Sequence, residues 1–293
     1  MFKILWLESV LLCGACLNVA NSFAEERPTA PTQSKPGEAP QTHASQQRAE
    51  DLAVLVKAAE KYTLKLENGD AAALRREAVY RWSNAIAATI GREVKDAAVF
   101  VWTSGDRPVA IGSVVWYSQL GLYHEFQSLA FEPLTAERER KKIWAPAQAG
   151  IEFNPVPEAP PPARTEAARL VQMRSIAARF RAEIVKGPPS FPEGSIWQLR
   201  LLPTPLVRYG NPSGLARDGA IFAFCQDTDP DVFLMLEARP AGGELEWRFA
   251  MGPLTSRETK GWCDDTLVWS KPLIAPPTDP KRPYFVAGPF AAP

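Results

Sequence analysis

Apolar residues recur at spacings of three and four along one stretch of the chain, placing Leu52, Leu55, Ala59, Tyr62 and Leu66 on one face of a predicted helix. The same spacings return at Leu170, Met173, Ala177, Phe180 and Ile184, pair for pair at one constant offset. Behind each predicted helix the period shortens to two. Phe222 and Phe224 oppose Ile221, Ala223 and Cys225, and Val232, Leu234 and Leu236 alternate with Phe233 and Met235. Leu245, Trp247, Phe249 and Met251 alternate with Glu246 and Arg248, the pattern of a strand with one wet face. The turn Asp227-Thr228-Asp229-Pro230 and the run Arg239-Pro240-Ala241-Gly242-Gly243 read as hairpin connections.

The internal match extends beyond the helices. Val79-Tyr80-Arg81-Trp82-Ser83-Asn84 answers Leu206-Val207-Arg208-Tyr209-Gly210-Asn211, and the segment from Asp96 to Trp102 answers that from Asp218 to Phe224. Pro133-Leu134-Thr135 then answers Pro253-Leu254-Thr255, and Ile143-Trp144 answers Val268-Trp269, in unbroken order. The expectation is therefore an α+β chain of two tandem similar units, each a helix followed by an antiparallel sheet of about five strands. Residues 48–153 form the first unit and 165–272 the second. Residues 154–164, rich in proline, read as a semi-rigid linker, and 273–293 as a Pro-rich, irregular tail.

Composition adds a compartment. Residues 1–24 have the form of a signal peptide: Lys3, a mostly apolar stretch, then Ser22-Phe23-Ala24 before the cut. The stretch is too short and too interrupted to predict a membrane span, and nothing later predicts one. Cys13 and Cys16 raise the alternative of a lipoprotein, although Cys13 stands where such a signal wants leucine. Residues 25–47, with few large apolar side chains, read as a disordered tether. The exported chain, periplasmic or extracellular, keeps Cys225 and Cys263, expected as a disulfide, with two buried thiols as the alternative. Lysine plus arginine (33) equals aspartate plus glutamate (33), and no basic stripe stands out, so nucleic acid is not an expected partner.

Few residues carry candidate chemistry. His124 is the one histidine outside the tether and a candidate general base, with an ordinary half-buried strand residue as the alternative. In a strand, Glu125 falls on the opposite face from it. Asp227, Asp229 and Asp231 alternate like the start of a calcium loop, but Pro230 interrupts them and a hairpin turn explains them better. Two cysteines and one histidine fall short of a zinc set, and no cofactor motif is present. Trp116, Trp197 and Trp262 lack a counterpart in the internal match and are the candidates for an exposed ligand-stacking platform.

The segments Val99-Phe100-Val101-Trp102-Thr103, His124-Glu125-Phe126-Gln127-Ser128-Leu129 and Leu199-Arg200-Leu201-Leu202-Pro203-Thr204-Pro205-Leu206 resemble those of exported bacterial proteins of unknown function. The resemblance implies no activity and no site residue. The expected function is that of a non-enzymatic cell-envelope protein that binds a protein or glycan partner. The alternative is a hydrolase or transferase in which folding brings His124 to carboxylates such as Glu125, Asp227 or Asp229.

Overall fold

The computed structural model describes residues 43–67, 71–74, 78–84, 92–185, 195–211 and 213–292. The expected signal peptide, with Cys13 and Cys16, lies outside the described residues, as does the tether up to residue 42.

The two expected helices form, but both are shorter at their C-terminal ends than their apolar spacing predicts. Helix α1 (His43–Glu60) begins inside the expected tether and ends before Tyr62, whereas helix α2 (Glu166–Ala177) ends before Phe180. Tyr62 and Leu66 lie instead on strand β1 (Tyr62–Leu66), and Phe180 and Ile184 on strand β10 (Phe180–Ile184). A spacing of four fits both periods: residues four apart share a helical face and also a strand face. Thr165 caps α2, its hydroxyl accepting from the Ala168 N–H at 3.3 Å.

After β1 the chain runs through β2 (Ala71–Leu74), β3 (Tyr80–Trp82), β4 (Val94–Ser104), β5 (Arg107–Tyr117), β6 (Gly121–Ser128), β7 (Leu134–Arg138), β8 (Lys141–Trp144) and β9 (Asn154–Pro155). Past α2 and β10 come β11 (Trp197–Leu201), β12 (Val207–Tyr209), β13 (Asp218–Gln226), β14 (Asp229–Ala241), β15 (Glu244–Pro253), β16 (Thr259–Cys263), β17 (Thr266–Lys271) and β18 (Tyr284–Phe290). They pair into two nine-stranded antiparallel sheets, of order β18-β6-β5-β4-β2-β1-β7-β8 and β17-β16-β10-β11-β13-β14-β15-β9, with β3 added to β4 and β12 to β13.

This overturns the expected class. Strands occupy 50% of the chain and helices 13%, the sheets include a curled half-barrel, and the fold is mainly β rather than two α+β units of five strands. The count fell short because the missed strands are short and hold few large apolar residues, as in Ala71–Leu74 and Lys141–Trp144. Nor do the sheets keep to the expected boundaries. The expected linker supplies β9, an edge strand on β15, where proline costs no ladder bond. The expected tail supplies β18, which pairs with β6 and buries Tyr284 and Phe285.

Strand alternation sorts the core into layers. Ala98, Phe100 and Trp102 of β4 pack with Leu55 and Ala59 of α1, and Phe222, Phe224 and Leu234 pack with Met173 and Ile176 of α2. The intervening residues Val99, Val101 and Ile111 meet Ile221, Phe233 and Met235, so the two sheets share one core between them. Two matched ion pairs brace matching corners. Arg81 donates to both Asp96 oxygens at 2.7 and 2.6 Å, and Arg208 to both Asp218 oxygens at 3.0 and 2.7 Å. No helix among the described residues is long and apolar enough to cross a membrane.

Candidate functional site

A polar space opens between the two sheets. Trp82 (β3), Val115 (β5) and Leu254, just after β15, wall a cavity of about 160 Å³ that also admits Glu125 from β6 and Asp229 and Asp231 from β14. Alternation brings these carboxyls together. Glu125 faces away from the α1 side of the first sheet, and Asp229 and Asp231, two apart, leave β14 on one face. Asp231 is 5% exposed, while Glu125 and Asp229 keep some contact with solvent.

Each carboxyl is tethered from a different element. The Asn84 side-chain amide donates to Asp229 at 2.8 Å, and the Tyr284 hydroxyl of β18 donates to Glu125 at 3.3 Å. Asp231 accepts from the Thr255 hydroxyl and the Gln226 backbone N–H. At the rim, the Ser83 N–H donates to Thr228 Oγ1 at 3.0 Å, fastening the end of β3 to the β13–β14 turn. Three carboxyls this close disfavour full ionisation. Burial, then the Asp231 charge, pushes Glu125 up to about 8. Burial foremost also raises Asp229 well above the carboxylate range, with Asp231 and Glu125 adding to it, and burial raises Asp231 against the pull of Arg257.

The cavity also has unmet polar atoms. Asp231 Oδ2, Gln226 Nε2 and Arg257 Nη1 are buried without a hydrogen-bond partner, and all three residues line it. Gln226 is 7% exposed. Buried polar groups are nearly always paired, with protein, water or ligand, so three orphans at one cavity mark a place built for an occupant. Among the described residues, no three His, Cys, Asp or Glu side chains stand where they could hold a metal ion, and Arg257 is a poor neighbour for one.

The residues singled out from sequence are dispersed. His124 faces the α1 side, opposite Glu125. The Tyr62 hydroxyl and His124 Nδ1 share a hydrogen bond, Phe290 packs on the ring at 4.7 Å, and Nε2 is buried without a partner. Burial, helped by the Arg138 and Lys61 charges, pushes His124 down to about 3, so it is neutral at ordinary pH. It cannot reach the three carboxyls through the sheet. Asp227 is exposed at the hairpin turn, with φ of 54° and its carbonyl bound by Arg200, and stands outside the cavity.

Cys225 and Cys263, expected as a disulfide with buried thiols as the alternative, are buried and not bonded to each other. Cys225 packs with Leu202 and Ala223, whereas Cys263 joins the α2-side core, so the second sheet lies between them. The three tryptophans form no common platform. Trp116 is half-buried beneath the Lys95 ammonium at 3.5 Å, Trp262 pairs across strands with Arg181 at 4.1 Å, and Trp197 packs on the α2-side core. Gln226, Thr255, Arg257 and Tyr284 went unnoticed in the sequence, because nothing in their local pattern marks them and only strand pairing brings them to Glu125. No protein-family model matches the chain, and neither the curated proteins nor the solved structures contain a match to it.

Proposed function

We propose that this is an exported, non-enzymatic binding protein whose ligand site is the cavity between its sheets. One observation carries the reading: a cavity of about 160 Å³ gathers three carboxyl groups from two sheets and leaves Gln226 Nε2, Arg257 Nη1 and Asp231 Oδ2 without partners. Binding sites are typically concave, with a few placed polar groups fixing the ligand's orientation. An apolar cavity of roughly 150 Å³ admits benzene, so this space suits a molecule of about that size, but a polar one. Export rests on the pattern of residues 1–24. The hydrolase reading that used His124 loses its geometry, since the histidine and the carboxyls lie on opposite faces of β6.

The test is a thermal-shift screen of small amines, carboxylates, amino acids and monosaccharides against the wild type and Ser256→Trp, which fills the cavity from its rim. Compounds that raise the wild-type midpoint and leave that of Ser256→Trp unchanged support the reading. A screen in which no compound shifts the wild type, or in which every shift survives the substitution, overturns it.

A further inference from the structure

We infer that the cavity recognises a compact zwitterion, a molecule of amino-acid class whose ammonium meets Asp231 Oδ2 in the acidic lining and whose carboxylate meets Gln226 Nε2 and Arg257 Nη1. The inference rests on the binding reading above and adds the chemistry of the ligand.

Charge comes first. Three acidic side chains face the cavity against two basic ones, Arg92 and Arg257, and Arg92 is exposed. Arg257 is the cation felt by all three carboxyls. The acidic side is therefore under-neutralised, and a positive group placed there lets carboxyls ionise that otherwise hold protons. The orphaned atoms supply both polarities within the one cavity. Asp231 Oδ2 is an acceptor awaiting a donor, as an ammonium N–H is, while Gln226 Nε2 and Arg257 Nη1 are donors awaiting an acceptor. Gln226 and Asp231 are both more than nine-tenths buried, so ordinary bulk solvent does not meet their need.

A purely anionic ligand would leave Asp231 Oδ2 without a donor, and a purely cationic one would leave both donors unmet. A zwitterion answers both sets in the space available. Leu254, Val115 and Trp82 offer apolar lining for a short side chain. Because ionisation follows ligand entry, binding near neutral pH also releases protons from the carboxyls.

The experiment is titration calorimetry of the full-length protein at pH 7 with three probes of similar size: L-alanine, ethylammonium and propionate. L-Alanine is expected to bind at least about tenfold more tightly than either single-charge probe, the ratio for one charge-assisted hydrogen bond. Gln226→Leu should weaken L-alanine about tenfold, and Asp231→Asn should do the same while leaving the fold intact, as circular dichroism would confirm. Titration in buffers of different ionisation enthalpy should show proton release that falls in Glu125→Gln, an effect that a merely structural role would not produce. Ethylammonium or propionate binding as tightly as L-alanine overturns the zwitterion. So does L-alanine failing to bind while another screened compound binds and is blocked by Ser256→Trp, an outcome that leaves the binding reading standing. If no compound binds at all, both readings fall together.

Discussion

His124 and Glu125 are chain neighbours that a single peptide bond sends into opposite environments, one into an aromatic pocket and one into a cavity of carboxyls. Their titrations oppose each other in stability. His124 is held near 3 in the folded chain against 6.5 in an unfolded one, so the unfolded chain binds the extra proton and stability is lost as pH falls below about 6.5. Glu125 is held near 8 against 4.5, so the folded chain keeps the proton, and that contribution is lost as pH rises through about 8. We expect the thermal midpoint to decline on both sides of a weakly acidic maximum. His124→Phe should flatten the acid limb, and Glu125→Gln should lessen the alkaline limb, to which Asp229 and Asp231 also contribute, as followed by circular dichroism from pH 3 to 9. If both variants moved the whole curve without changing either slope, these groups would not govern it. The opposition of the two side chains was legible in the sequence from strand alternation; the acidic company Glu125 keeps was not, because Asp229 and Asp231 arrive from another sheet.

The C-terminal strand shows where an element departs from its composition. Residues 273–293 are rich in proline, and proline discourages an interior strand, yet β18 sits at the edge of the first sheet, where one face of the ladder is open anyway. Its apolar residues do the work of a core: Phe285 lies 6.4 Å from Trp144 in parallel, and Tyr284 reaches Glu125. Phe285→Ala should cost about 3 to 5 kcal/mol by urea denaturation. Leu273→Ala, at a position 62% exposed in the same tail, should change stability by less than about 0.5 kcal/mol. Equal, small effects at both sites would mean that the tail does not pack as an element. At this scale the helices and the long strands β13, β14 and β15 could be read from periodicity, whereas β9 and β18 owe their strand form to the edges they cover.

The molecule as a whole is governed by what lies between its sheets. Val99, Val101 and Ile111 are fully buried only because Ile221, Phe233 and Met235 cover them. Residues 43–293 should therefore unfold in one calorimetric transition, and excised residues 48–153, lacking both that cover and β18, should show no cooperative unfolding. Two resolved transitions, or a folded excised segment, would contradict a shared core. Local period and composition were enough to determine two amphipathic helices, a run of antiparallel strands and which residues of a strand share a face, because those depend on residues two to four apart. Which faces meet, which edges the linker and tail complete, and which three carboxyls share a cavity depended on contacts between residues far apart in the chain, such as Phe249 with Asn154 and Tyr284 with Gln127. No local pattern encodes those contacts, and only the burial of both sheets against each other decided them.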